Sequence, residues 1–165
     1  MAKDRKDKST ISFIERMDID VIDKDWNIPC DYPDLTQYKQ VAVDLETCDP
    51  NIKDKGPGWA RKDGFIVGIA VAAGDYYGYF PIRHKNGHNL DPKITFRWFK
   101  KQMDTPNVDK IFHNATYDLG WLRAEGIEVQ GRIIDTMVTG AVVDENRWSY
   151  SLNNLGRDWI NMRKD

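Results

Sequence analysis

Asp44 and Glu46 stand two residues apart at the end of an otherwise apolar run, Val41-Ala-Val-Asp-Leu-Glu46. On a strand, positions i and i+2 share a face, so both carboxylates point the same way. Facing acids repel each other, and a hard divalent cation with oxygen ligands relieves that repulsion. A lone Asp-x-Glu is also what a solvated strand end contains by chance. A second candidate is Phe112-His-Asn-Ala-Thr-Tyr-Asp118. If Asn114 caps a helix, Asp118 lies one turn in. Its carboxylate can then face the C-terminal edge of a parallel sheet, where α/β folds present their ligand sites. Alone, the segment also describes a capped helix with a solvent-facing Asp118.

The elements that must carry these acids follow from periodicity. Residues 41–46 alternate, with Val41, Val43 and Leu45 on one face of a strand. Asp49-Pro50 opens a loop that runs through Gly56-Pro57-Gly58. Residues 65–73 form a mostly apolar second strand, Gly74-Asp75 turns the chain, and residues 76–82 complete an antiparallel meander. Asp91 and Pro92 suit the N-cap and first position of a helix to about Met103. Its stripe of Ile94, Trp98, Phe99 and Met103 predicts a core contact. Residues 110–113 make a short strand, and the helix begun at Asn114 runs to about Glu125 and stops at Gly126. Residues 127–134 are irregular or a short strand, and residues 135–144 and 151–160 are helical.

A meander that adds further strands through helical crossovers predicts an α/β fold. Its mixed sheet carries helices on both faces, in the element order of the ribonuclease-H-like fold. In that topology the strand of Asp44 and the strand before Asp118 are parallel neighbours, so three carboxylates converge. Three acids at one edge can hold two metal ions about 3.5–4 Å apart for phosphodiester hydrolysis.

Composition narrows the classes. The 165 residues suffice for one domain with a sizeable core. Six Trp, seven Tyr and six Phe exclude disorder over the whole length. The longest apolar run, residues 65–73, falls short of the ~20 residues of a membrane span. The charged residues 1–8 do not resemble a signal peptide, and two cysteines are too few for a disulfide framework. A reducing, cytoplasmic setting is the expectation. With 24 basic and 26 acidic residues, the net charge of −2 argues against a basic-patch nucleic-acid binder. It does not argue against an enzyme that grips phosphate through bound metal, since clustered carboxylates lower the charge. Residues 1–25 are polar and read as a mobile arm with a short apolar patch at 11–14, and residues 26–38 as an extended lead-in packed on the domain.

Two longer segments carry a family resemblance. Val41-Ala-Val-Asp-Leu-Glu-Thr-Cys-Asp-Pro50 resembles the first motif of the DEDD 3′–5′ exonucleases, and Phe112-His-Asn-Ala-Thr-Tyr-Asp-Leu-Gly-Trp-Leu122 resembles the second. Ile134-Asp-Thr-Met137 and Trp148-Ser-Tyr-Ser-Leu-Asn-Asn-Leu155 are similar to the segments that follow in the proofreading domain of family A DNA polymerases. Gly56-Pro-Gly-Trp59 and Tyr79-Phe-Pro-Ile-Arg-His84 look most like bacteriophage members. The resemblance covers roughly residues 26–162. It implies catalytic and metal-binding roles for Asp44, Glu46 and Asp118, with two Mg²⁺ or Mn²⁺ ions as cofactors. Asp44 would bridge both ions, Glu46 would bind the ion that activates water, and Asp118 would serve the second. Thr47, His113 and Asn114 would lie near the terminal nucleotide, while Tyr117 would pack. The implied substrate is the 3′ end of single-stranded DNA, and the implied partner a polymerase domain or subunit.

One departure from the pattern stands out. The family's third motif places an Asp four positions after a Tyr, yet Tyr150 is followed at that distance by Asn154, and Asp158 falls in an expected structural helix. The expectation is therefore the front part of an exonuclease domain, residues 26–165, with weak or absent activity alone. A non-catalytic module that binds single-stranded DNA or supports a polymerase is the alternative. An RNA-trimming relative is the third reading. His84, His88, Cys30 and Cys48 lack zinc-site spacing. Gly56-x-Gly58 supports neither a dinucleotide loop nor a P-loop. Arg147, Trp148 and Tyr150 could stack on a single strand, with Arg147 as a substrate contact, or Trp148 and Tyr150 could be core.

Overall fold

The computed structural model describes residues 27–162. Five strands, β1 (Gln40–Cys48), β2 (Phe65–Ala73), β3 (Tyr76–Pro81), β4 (Asp109–Phe112) and β5 (Ile133–Asp135), form one sheet in the order β3-β2-β1-β4-β5. Strands β1, β2 and β3 pair antiparallel, as the turn at Gly74-Asp75 dictates. Strands β4 and β5 add in parallel on the other side of β1. The ambiguous stretch 127–134 thus resolves into a loop and the start of β5. The helices are a single turn α1 (Ile52–Lys55), α2 (Pro92–Met103), α3 (Ala115–Ala124), α4 (Thr136–Val143) and α5 (Leu152–Ile160). The loop after β1 is more ordered than its glycines and prolines suggest: it holds α1 and a 3-10 turn at Gly58–Arg61.

One face of the sheet is the core. Val43 and Leu45 lie across from Val71 and Ile69, and all four are buried. Helices α2 and α3 cover this face through Phe99, Met103, Trp121 and Leu122. Each such side chain contributes about 1.5–3 kcal/mol on burial, before the entropy of ordering it. Asp91 caps α2 as its sequence position dictates, accepting from Lys93 N at 2.8 Å and Ile94 N at 3.1 Å. Trp98 packs at a tilt against Phe80 with centroids 4.5 Å apart and donates its Nε1–H to Pro33 O at 2.7 Å. Together with a Tyr32–Thr95 hydroxyl bond of 2.7 Å, this fastens the lead-in to α2.

The opposite face carries Asp44 and Glu46. Small side chains, Ala42 on β1 and Ala70 and Ala72 on β2, leave a groove of about 730 Å³ along it. Thr136 of α4 and Leu152 of α5 border that groove, so the helical layer on this side begins at the β5 edge. Among the described residues, no helix is long and apolar enough to cross a membrane. The arm at residues 1–25, with its patch at 11–14, lies outside the described residues.

Candidate active site

Strand β1 positions the first two acids by alternation alone. Val43 and Leu45 point into the core, so Asp44 and Glu46 must point away from it, and both are exposed. The ladder then breaks: Glu46 pairs with Gly68 but Thr47 pairs with Ile66. The extra residue is Val67 on β2, so β2 is the strand that bends there, opposite Glu46 and Thr47.

Helix α3 brings the third acid, but not by the cap expected. Asn114 is left-handed, with φ 65°, and its side chain makes no capping bond. The cap comes from Asp135 at the end of β5, whose carboxylate accepts from Asn114 N at 3.0 Å and Ala115 N at 2.8 Å. The same carboxylate caps α4 through Met137 N at 2.9 Å and Val138 N at 3.4 Å. Burial pushes the Asp135 carboxyl up, yet these four backbone donors outweigh it and the net shift is downward. A parallel neighbour strand, invisible in local sequence, thus does the work assigned to Asn114.

Asp118 sits one turn into α3 and is only 4% exposed. The backbone N–H of Leu45, between the two β1 acids, donates to its Oδ1 at 3.3 Å. Burial, and next the charge of Asp44, raise the Asp118 carboxyl from 3.8 to about 7, with the Leu45 bond acting the other way. Asp44 and Asp118 are therefore close enough to oppose each other's ionisation, as the topology predicts.

The remaining sequence candidates divide. His113 lines the groove together with Asp44, and its Nδ1 meets Thr136 Oγ1 at 2.9 Å. Thr47 is drawn into a tie between β1, α3 and the α1 loop: its Oγ1 meets the Tyr117 hydroxyl at 2.8 Å, which donates to Asp49 Oδ2 at 3.3 Å. Tyr117 also packs edge-on against Trp121. Asn114 lies at the α3 N-terminus through its backbone. Arg147 is elsewhere, held between α4 and α5 by ion pairs to Asp158 and Asp144 and lying 5.3 Å over the Trp159 ring. Trp148 beside it is fully exposed, so core packing does not describe it, whereas Tyr150 is half-buried and donates to Asp144 O at 2.9 Å. Asp158 pairs with Arg147 and Arg157, a structural role. Cys30 and Cys48 are free thiols.

Two groups escaped the sequence reading. Asp135 was a flanking residue only. Tyr79 lies on the acid face, in the row Asp44–Ala70–Tyr79 that crosses three strands. The period of two in 76–81, read against the β1 register, was the signal that could have found it.

The donor set suits a hard divalent cation in kind and place. Asp44, Glu46 and Asp118 offer only oxygen, and a cation would favour the ionised form of Asp118 that burial first, and the charge of Asp44 next, hold back. Among the described residues, no three His, Cys, Asp or Glu side chains already close round one point. The acids line an edge that an ion would have to gather.

Residues 32–165 match the model of the 3′–5′ exonuclease family. A DNA-directed DNA polymerase of Pseudomonas phage M6 is 30% identical over 155 residues, which are 90% of this chain and 23% of that polymerase. The chain spans less than a quarter of the length of the polymerases it matches. Among solved structures, Brucella melitensis NrnC with bound Mg²⁺ superposes with a TM-score of 0.58 at 16% identity, covering 80% of this chain and 58% of that one. Pol1 from M. smegmatis, in complex with DNA primer-template and dNTP, gives 0.60 at 17% identity, covering 79% of this chain and 20% of that one. At these identities the two structures speak for the fold, which is ribonuclease-H-like.

Proposed function

The chain belongs to the 3′–5′ exonuclease domain family of family A DNA polymerases, and from that premise we propose that it hydrolyses nucleotides from the 3′ end of single-stranded DNA for a polymerase partner. The observation that carries the reading is the meeting of Asp44 and Asp118 at one sheet edge, each opposing the other's charge. Asp44, Glu46 and Asp118 hold Mg²⁺ or Mn²⁺ in this proposal. When bound, the ions supply an activated water and charge stabilisation on the leaving 3′ oxygen. The protein's share is orientation. Leu45 N–H fixes the Asp118 carboxylate from behind, and strand alternation keeps Glu46 on the same face as Asp44. His113, on the groove wall with Asp44, would meet the terminal nucleotide, a role supported by the room that the small side chains of the groove floor leave. Thr47 and Asn114 shape the site's edge. Arg147 is withdrawn from this set by its ion pairs.

One observation favours the non-catalytic alternative, a DNA-binding module: the described acids do not close round a point unaided. A single experiment separates the two. A 3′-single-stranded DNA oligonucleotide is incubated with the chain and Mg²⁺ or Mn²⁺, with an RNA oligonucleotide and Asp44→Ala in parallel, and binding is followed by anisotropy. Slow DNA trimming that vanishes in Asp44→Ala is the expected result. Metal-dependent binding without trimming assigns the module to the second class, and preference for RNA overturns the substrate.

A further inference from the structure

Tyr79 leaves β3 on the acid-bearing face. Its hydroxyl lies over Gly68 so closely that a Cβ there would collide with it. Gly68 is the β2 residue paired with Glu46. The absence of a side chain at Gly68 thus opens the space that brings a phenol hydroxyl beside the Glu46 position. That hydroxyl is held from behind: it hydrogen-bonds His84 Nε2, and the two rings meet edge-on with centroids 5.8 Å apart.

His84 is itself fixed. Its backbone N–H donates to Asn89 Oδ1 at 2.8 Å, and Asn89 Nδ2 donates back to His84 O at 3.0 Å. The preceding residues stay on the sheet, with Ile82 N and Arg83 N both donating to Val67 O. Burial lowers the His84 pKa, so the ring is neutral at neutral pH and can carry its one proton on Nε2. An Nε2–H donated to the phenol oxygen leaves the Tyr79 O–H to point away from His84. A phenol hydroxyl keeps its proton at neutral pH, so it is a donor.

We propose that Tyr79, oriented by His84, is a positioning residue for the β1 acids, donating its hydroxyl hydrogen toward the Glu46 carboxylate and so fixing the face that this acid turns to a divalent cation. The inference rests on the metal-site reading above. Carboxylates that ligate metals are commonly held by such outer partners, whose loss costs about 10–100-fold in affinity. Tyr79 is a donor that stays protonated, so it orients the acid without competing for the cation.

The test is Mn²⁺ binding to the full chain, with free Mn²⁺ read by electron paramagnetic resonance and no DNA present. Asp44→Ala is expected to abolish uptake. Tyr79→Phe is expected to weaken it about tenfold. His84→Ala should weaken it comparably, and His84→Gln, which restores an N–H donor, should recover most of the loss. Tyr79→Phe combined with His84→Ala should bind no worse than Tyr79→Phe alone, because both act through one hydroxyl. Wild-type affinity in a folded Tyr79→Phe overturns the inference while leaving the metal site standing. Should Tyr79→Phe fail to fold, equal affinities in His84→Ala and wild type overturn it instead. Mn²⁺ uptake that is absent, or indifferent to Asp44→Ala, overturns the metal-site reading and this inference with it.

Discussion

Lys110 and Asp118 are both ionisable and both buried, at 0% and 4% exposure, near opposite ends of the same parallel strand β4. Burial acts on them by one rule, disfavouring the charged form, so it lowers the lysine and raises the aspartate. What surrounds them differs. The Lys110 ammonium donates to Thr105 O, to Thr105 Oγ1 at 3.0 Å, to Val108 O at 2.9 Å and to Gln130 O at 2.8 Å. Asp118 accepts the Leu45 N–H at 3.3 Å and faces the like charge of Asp44. The first charge is saturated and ties the loops at 104–108 and 127–132 to the sheet. The second is left in opposition, and an added cation gains most where charge is opposed. The saturated lysine is architecture, and the opposed aspartate is the site.

The largest expected effect breaks the saturated end. Lys110→Met fills similar space but leaves the Val108 and Gln130 carbonyls without the ammonium donor, each costing about 1–3 kcal/mol when unsatisfied. Allowing for rescue by water, a loss of about 3 kcal/mol or more is expected in urea unfolding. Mn²⁺ uptake by the folded fraction should not change. A loss below about 1 kcal/mol would show that the four bonds are not formed in solution, and the contrast with Asp118 would collapse.

Asp135 links the two ends and is next in size. Its carboxylate serves the N-termini of both α3 and α4, and a helix cap contributes about 0.5–2 kcal/mol. Asp135→Ala should therefore cost about 2 kcal/mol, more than a one-helix cap such as Ser151 on α5. Asp135→Asn keeps an acceptor oxygen and should cost less. The wild-type carboxyl is held below its ordinary value, so its charged-form contribution is complete above the unfolded pKa and is lost as pH falls through the folded one. The gap between wild type and Asp135→Asn should accordingly close on acidification, as read from thermal midpoints.

These residues also mark how far the sequence speaks. Alternation in 41–46 placed Asp44 and Glu46 on the open face, and the meander signals gave the sheet order that brings Asp118 to them. Those features are local or depend on strand order, which patterning encodes. The cap of α3 was misassigned because Asn114 satisfies the local rule, while the true acceptor lies 21 residues away on a strand of three residues. Tyr79 was missed because its place depends on register across three strands and on a glycine that lets it lie down. Arg147 has a cationic, aromatic neighbourhood that fits nucleic acid as well as it fits an ion-pair cluster, and its pairing with Asp158 and the Trp159 ring is visible only in space.

The smallest expected effect is also the sharpest test of opposition at Asp118. With its carboxyl raised to about 7, the native chain keeps a proton that the unfolded chain releases near 4. Native stability thus falls as pH rises between those values, is unaffected by this group below the lower one, and carries the full penalty above the upper one. Asp118→Asn removes the penalty while its amide oxygen still accepts from Leu45. It should be more stable than wild type by about 1–2 kcal/mol near pH 5 and equal to it near pH 3. Mn²⁺ must displace the same proton, so wild-type affinity should climb with pH up to about 7 and then level off. In the metal-free chain, Asp44→Asn should move the pH range of the Asp118 stability loss downward, because it removes the like charge. If the stability gain of Asp118→Asn were the same at both pH values, burial of the side chain and not its charge would set the energy, and Asp118 would belong with Lys110 as architecture.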